Sequence, residues 1–308
     1  MPVDTFDPRY DVATAQSQGR RERQEDAVAV SCPQGAEFGF AVVSDGMGGH
    51  AAGDLASRII VAEIFAELTL RGRAALAAPE DLSELLKASV ETANASLQAQ
   101  IDAYPDQSGM GGTVVATSLV DGGLQWVSVG DSLLYLLRDG MLKRLNDDHS
   151  MGPQIDLMAR NGMIDAETAR THPQRNCLTS ALTGKDIPEL DCPARRLDLE
   201  DGDLVVLASD GLQSVAEEDI ASILDKASHL ESREIATALI DAVTDAGDPE
   251  QDNTSVVVIR VYQPEPRPED VPVPMAAPAR QRRSIWAALG GIFGRPGLPA
   301  TATAKQEG

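Results

Sequence analysis

Aromatic residues are scarce in this chain, making up 4% of its 308 residues. Cysteine is scarcer, with Cys32, Cys177 and Cys192 alone. Their odd number and lack of metal or redox spacing point to reduced thiols in the cytosol. Basic residues are outnumbered, 26 Lys and Arg against 48 Asp and Glu, for a net charge of −22. A nucleic-acid backbone needs a basic face, so no nucleic acid is expected as a partner, and a metal-dependent nuclease conflicts with this balance. The same charge repels anionic lipid over most of the surface. No apolar run is long enough to cross a bilayer. The N-terminus has no basic start followed by an apolar stretch, so no signal peptide is expected and the cytoplasm is the expected compartment. What remains, with 43% hydrophobic residues, suffices for one large domain or two small ones around a sizeable core.

Two phrases echo each other: Val42-Val43-Ser44-Asp45-Gly46 and Leu207-Ala208-Ser209-Asp210-Gly211. Each is an apolar run closed by a turn dipeptide, the pattern of a buried strand entering a loop. Each sets a carboxylate at a strand end, before a glycine that lets backbone approach a ligand. Other acids sit at similar junctions. Leu124–Val129 ends at Gly130-Asp131, Glu25-Asp26 opens Ala27–Val30, and Asp252-Asn253 opens Thr254–Ile259. In an antiparallel sheet one strand's end lies beside its neighbour's start, so these acids can gather at one edge. Each Asp-Gly or Asp-Asn alone is ordinary turn chemistry; the series in register with strand boundaries is not. Carboxylates packed together raise each other's pKa unless a cation intervenes. An all-oxygen set without paired cysteines or histidines favours Mg²⁺ or Mn²⁺ over zinc.

Between these junctions, apolar spacing predicts helices over 53–71, 81–101, 216–226 and 232–246, the last stopped by Gly247. Strands are predicted over 113–120, 124–129, 133–137, 141–145, 204–208 and 254–261, with Asp139-Gly140 as a hairpin turn. From 148 to 184 the pattern loosens, with one short amphipathic stretch near 155–161. That length marks a candidate flap, where substrate choice is expected to reside and which Met158, Met163, His172 and Arg175 are candidates to line. Residues 263–279, with six prolines from Pro264 to Pro278, read as an extended linker. The tail, 280–308, sets Arg280, Arg282 and Arg283 before Ile285-Trp286-Ala287-Ala288-Leu289 and Ile292-Phe293. It reads as a membrane-interface anchor, a docking peptide or a disordered end.

One family carries the same ordered motifs. Gly19-Arg20-Arg21-Glu22-Arg23-Gln24-Glu25-Asp26-Ala27, Ser44-Asp45-Gly46-Met47-Gly48-Gly49-His50, Gly130-Asp131-Ser132, Asp148-His149-Ser150, Ser209-Asp210-Gly211 and Asp252-Asn253 resemble the metal-dependent protein serine/threonine phosphatases of type 2C, bacterial branch. The resemblance runs from Ala13 to Val261, so that residues 1–262 read as the catalytic domain. It implies an α+β fold, a four-layer αββα sandwich of two antiparallel sheets flanked by helices. It implies that Asp45 bridges two Mn²⁺ or Mg²⁺ ions. Glu25 and the Gly46 carbonyl would help to hold one, Asp210 and Asp252 the other, and Asp131 a weaker third. Asp26 would back these ligands, and Asn253 would fix the neighbouring loop. Arg21 would clamp phosphate, and His50 would act as general acid to the leaving alkoxide. Arg20 and Arg23 miss the family position and read as surface charges; His149 reads as structural.

The implied reaction is hydrolysis of phosphoserine and phosphothreonine on proteins by water activated between two ions about 4 Å apart. The implied partners are phosphoproteins, including an opposing Ser/Thr kinase or its targets, met by a monomer. Four positions depart from the family: Ser214 where an Asp is usual, Leu133 for Arg, Val114 for Thr and Ser180 for Arg. Ser214 is expected to weaken the third ion, and it is the one feature favouring the alternative, a pseudophosphatase that binds phosphoproteins without turnover.

Overall fold

The computed structural model describes residues 9–33, 38–48, 52–77 and 79–262. In chain order the strands are β1 (Arg9–Ser17), β2 (Asp26–Ser31), β3 (Phe38–Met47), β4 (Gly111–Gly112), β5 (Val114–Val120), β6 (Gly123–Val129), β7 (Leu133–Arg138), β8 (Met141–Arg144), β9 (Leu197–Asp198), β10 (Leu204–Ala208) and β11 (Thr254–Tyr262). The helices are α1 (Ala52–Arg71), α2 (Pro79–Ala103), α3 (Gly152–Arg160), α4 (Ala166–Arg170), α5 (Glu217–Ala227) and α6 (Ser232–Ala246). One antiparallel sheet runs β1-β11-β10-β7-β8 and the other β2-β3-β5-β6-β9, with β4 paired to β3.

The central strands are apolar on both faces, because each sheet is covered twice. In β10, Leu204, Val206 and Ala208 pack among residues of α5 and α6, while Val205 and Leu207 turn the other way to meet Ala41 and Val43 of β3. In β3, Phe40 and Val42 face α1 and α2. This period-two alternation yields three stacked cores and four layers, helix–sheet–sheet–helix. Ile60, Ile64, Leu86 and Leu97 are fully buried on the α1–α2 side; burying each such side chain stabilises by roughly 1.5–3 kcal/mol.

Turn chemistry sets the hairpins. Asp139 and Gly140 have φ of 50° and 72°, and Asp121 and Gly122 have 47° and 75°. These left-handed pairs join β7 to β8 and β5 to β6 with the twist that two-residue hairpins require. Gly247 ends α6 at φ 69°.

The 148–184 stretch is more ordered than its sequence suggests, since it carries both α3 and α4. Arg175 grips Asp156 of α3 through two hydrogen bonds, at 2.6 and 2.9 Å. The proposed linker and tail, 263–308, lie outside the described residues.

Two passages from one sheet to the other matter most. Residues 18–25 carry the chain from β1 to β2, and residues 130–132 carry it from β6 to β7. Both lie at the sandwich edge where β3 and β10 end and β11 begins.

Candidate metal centre

Strand register builds the site. Asp26 is the cross-strand partner of Asp45, so two carboxylates share one end of β2 and β3. On the other sheet, Ala208 pairs with both Leu133 and Val256. The preceding Asp131 and Asp252 and the following Asp210 therefore share an end as well. Face-to-face packing then joins the two groups: the charges of Asp210 and Asp26, one from each sheet, both act on the Asp45 carboxyl.

Ser209 links the sheets. Its hydroxyl donates to Asp26 Oδ2 at 2.8 Å and accepts the Ser255 N–H at 2.9 Å. Thr113 plays the corresponding part beneath Asp45. It accepts the Asp45 N–H at Oγ1 (3.1 Å) and donates its own N–H to the Asp45 carbonyl (2.9 Å). Its carbonyl receives the Ser44 hydroxyl at 2.7 Å, and its Oγ1 lies 2.7 Å from Ser132 Oγ. Asn253 anchors the 18–25 passage. Its amide donates to the carbonyls of Gln18 and Arg23, both at 2.9 Å, and its oxygen accepts the Glu25 N–H at 2.7 Å.

Glycines make room for the acids. A Cβ on Gly53, in the first turn of α1, would come 2.9 Å from the Glu25 carboxyl carbon. A Cβ on Gly46 would run into the carbonyls of Gly53 and Glu25. At Gly19, φ is 61° and a Cβ would strike the Asp252 carbonyl, so the loop can lie against residue 252 only as glycine.

Burial and like charge act on the carboxyls together. Burial, then the charges of Asp210, Asp26, Asp131 and Asp252, holds Asp45 well above the usual carboxylate range. Burial and then Asp131 push Asp210 up to about 8. Asp26 and Asp131 rise to about 6, chiefly through burial, with Asp148 adding at Asp131. Glu25 is raised by burial, against the opposing pull of Arg21.

Among the described residues, no three His, Cys, Asp or Glu side chains converge as a closed ligand set. The chemistry of the acids nevertheless fits a hard divalent cation. Oδ1 of Asp210 and Oδ1 of Asp26 are buried without a hydrogen-bond partner among the described residues, and the side chains acting on these two acids are carboxyls and hydroxyls, the oxygen donors that such a cation takes. A cation there would supply the missing partner and offset the burial and like charge that raise Asp45.

The predicted residues fall in different places. Glu25, Asp45, Gly46, Asp210 and Asp252 lie at the shared sandwich edge. Arg21 is half-exposed and pairs with Asp252 at 2.5 Å. Asp131 sits on the second passage near Asp148; Arg144 binds Asp148 Oδ2 at 3.1 Å and the Asp131 carbonyl at 3.0 Å. Ser214 is exposed and turns its hydroxyl to the Gly211 carbonyl, 2.9 Å away. His149 Nδ1 accepts the Gly130 N–H at 3.1 Å, bracing the second passage. His50 lies outside the described residues. Sequence reasoning missed Thr113 and Gly53; the Gly111-Gly112-Thr113 run before β5 was the available signal for Thr113.

The family model for protein phosphatase 2C matches residues 15–246. The serine/threonine protein phosphatase PstP of Mycobacterium tuberculosis (strain CDC 1551 / Oshkosh) is 36% identical over 223 residues, covering 71% of this chain. The chain spans 40% of that relative's length. A serine/threonine phosphatase, stp, of Listeria monocytogenes serovar 1/2a is 33% identical over 180 residues, 58% of this chain and 68% of that protein. The crystal structure of M. tuberculosis PstP/Ppp aligns with a TM-score of 0.66 at 33% identity, covering 82% of this chain and 99% of that one. The PstP catalytic domain in complex with 2 manganese ions aligns at 0.66 and 32% identity, over 83% of this chain and 99% of that one. With the model spanning the acid-bearing strands from β2 to β10, the chain belongs to the protein phosphatase 2C family.

Proposed function

We propose that the chain is a metal-dependent protein serine/threonine phosphatase acting on phosphoserine and phosphothreonine. The observation that carries this reading is the buried Asp45, cross-strand partner of Asp26, whose carboxyl is held well above its ordinary range by burial and then by the charges of Asp210 and Asp26 from opposite sheets. Such an arrangement calls for divalent charge, and the names of the relatives supply the reaction. Glu25, Asp45 and the Gly46 carbonyl would hold one Mn²⁺ or Mg²⁺, Asp45, Asp210 and Asp252 a second, and Asp131 a weaker third. Bound there, the ions supply an activated water and neutralise phosphoryl charge.

The chain's own groups do the rest. Arg21 presents a planar guanidinium that matches two phosphoryl oxygens. Asn253 and Gly19 hold its loop against residue 252. His50 is assigned the proton for the leaving oxygen. The partners are phosphoproteins, among them a Ser/Thr kinase or its targets, met by a monomer in the cytoplasm. Among the described residues no helix is long and apolar enough to cross a membrane; the basic and apolar sequence of the tail, 280–308, makes it the candidate for membrane association.

The test is phosphate release from a phosphothreonine peptide with Mn²⁺, with Mg²⁺ and with chelator, beside Asp45→Asn. Metal-dependent release that the variant lacks is expected. Equal rates in the two proteins would remove Asp45 from the mechanism.

A further inference from the structure

A groove of about 650 Å³ opens between the end of β3, the strand that carries Asp45, and residues 176–188. One wall is Met47, the last residue of β3, two positions beyond Asp45 and next to Gly46. Its methyl group lies over Gly111, where a Cβ would come 2.9 Å from Met47 Cε and 3.1 Å from Thr183 Cγ2. The opposite wall is the returning limb of the flap, with Cys177, Leu178, Ala181 and then Pro188. Met158, Met163, His172 and Arg175 are not among its lining residues.

This limb is held in place by its own backbone. Gly112 and Leu182 exchange N–H to carbonyl bonds at 2.9 Å in each direction. Thr179 donates its N–H to the His149 carbonyl at 2.8 Å, and Met151 donates to the Cys177 carbonyl at 2.9 Å. Ser180, where the family usually carries Arg, donates its hydroxyl to the Glu189 carbonyl (2.7 Å) and accepts the Glu189 N–H (3.1 Å). With these groups satisfied internally, the groove offers mainly thioether, methyl and ring carbon, beside the polar side chains of Asn176, Thr179 and Thr183. Its exposed charges, Lys185 and Asp186, cancel at the rim.

Position supplies the occupant. A strand advances roughly 3.3 Å per residue, so Met47 lies two strand residues from the bridging carboxylate. With its phosphate at the cations that Asp45 would help to hold, an extended peptide running alongside β3 brings the side chain two positions away over the groove. We propose that the groove is a specificity subsite for an apolar side chain two residues from the phosphorylated Ser or Thr. The proposal rests on the phosphatase reading. It also gives the Ser180 departure a consequence, because a short hydroxyl leaves the floor of the groove uncharged.

The test compares phosphothreonine peptides identical except for Leu, Gly or Glu two residues before or after the phosphoresidue, with Mn²⁺ and the full chain. Leu on one of the two sides is expected to raise kcat/KM at least about fivefold over Gly, through KM, a modest apolar-pocket discrimination. Glu is expected to lower it. Cys177 permits a probe without a core substitution, because it is exposed while burial pushes the Cys32 and Cys192 thiols up to about 11. Alkylation with N-ethylmaleimide should fill the groove and bring the Leu-to-Gly ratio close to one. The same treatment of Cys177→Ser should leave the ratio intact, and Ala181→Glu should abolish it. Equal kcat/KM for Leu and Gly on both sides, or a ratio indifferent to alkylation, would overturn the subsite while leaving the phosphatase reading standing. Failure to hydrolyse every peptide and p-nitrophenyl phosphate as well would overturn the phosphatase reading, and the subsite with it.

Discussion

Arg21 and Asp252 are 231 residues apart in sequence, and the Arg21 guanidinium lies 2.5 Å from the Asp252 carboxylate. The residue expected to grip phosphate thus rests on a residue expected to grip metal. Both side chains are substantially solvated, 55% and 36% exposed, so the pair adds little to stability. Its meaning is positional: a cation at Asp252 and an anion at Arg21 each take over from the other.

Arg21→Ala should therefore separate three properties. KM for a phosphopeptide should rise about tenfold, the size of one lost charge-assisted contact. The melting temperature should stay nearly constant, and Mn²⁺ affinity should hold or improve as Asp252 loses its competitor. Steady-state kinetics beside a metal titration reads all three; an unchanged KM would mean the clamp is misassigned.

Stability of the chelated protein should fall with rising pH. Asp210 stands at about 8, and Asp26 and Asp131 at about 6, against an ordinary 3.8. The native state therefore keeps protons that the unfolded chain would release. This contribution is complete below about pH 4 and is lost as pH climbs through 6 to 8. Urea midpoints at pH 6 and pH 8 should show the decline, and Asp210→Asn should flatten it. Mn²⁺ should reverse it, since binding requires deprotonated ligands.

Thr113→Val keeps the shape of a side chain that is 2% exposed while removing the acceptor for the Asp45 N–H. Mn²⁺ affinity should weaken about tenfold, as when other supports of ligating groups are lost. Isothermal titration checks this, and an unaltered affinity would make Thr113 a packing residue only.

Gly53→Ala puts a methyl group 2.9 Å from the Glu25 carboxyl carbon. Overpacking of this kind costs about 1–3 kcal/mol, measurable by urea denaturation. Glu25 must also shift, so the metal-induced rise in melting temperature should shrink. A variant as stable and as metal-responsive as the parent would show that the α1 start can yield.

Most of the sandwich was legible because its signals are local. The apolar runs of β5, β6, β10 and β11, the threes and fours of α2, and the Asp139-Gly140 turn each follow from short-range chemistry. The two-residue strands β4 and β9 were not legible. Gly111-Gly112 and Leu197-Asp198 carry no strand pattern, and their pairing depends on neighbours brought in by the fold. The flap misled for a similar reason, since α4 spans only Ala166–Arg170, too short for periodicity to register. At the site, the acids announced themselves by sitting at strand ends. Thr113 did not, because its importance lies in three partners drawn from β3 and the second passage. The Asp252–Arg21 pair was invisible too: nothing local to either residue specifies the other.

The passage residues and strand ends have a consequence for biogenesis. Glu25 and Asp45 come from one sheet; Asp210 and Asp252 flank strands of the other, and β11 must insert between β1 and β10 to place Asp252. A nascent chain on the ribosome would hold the first pair of acids long before the second. Capture of metal would then act as an assembly checkpoint, with catalytic competence arriving only when β1 closes on β11. On the proposed reading, a prematurely terminated product would be inert.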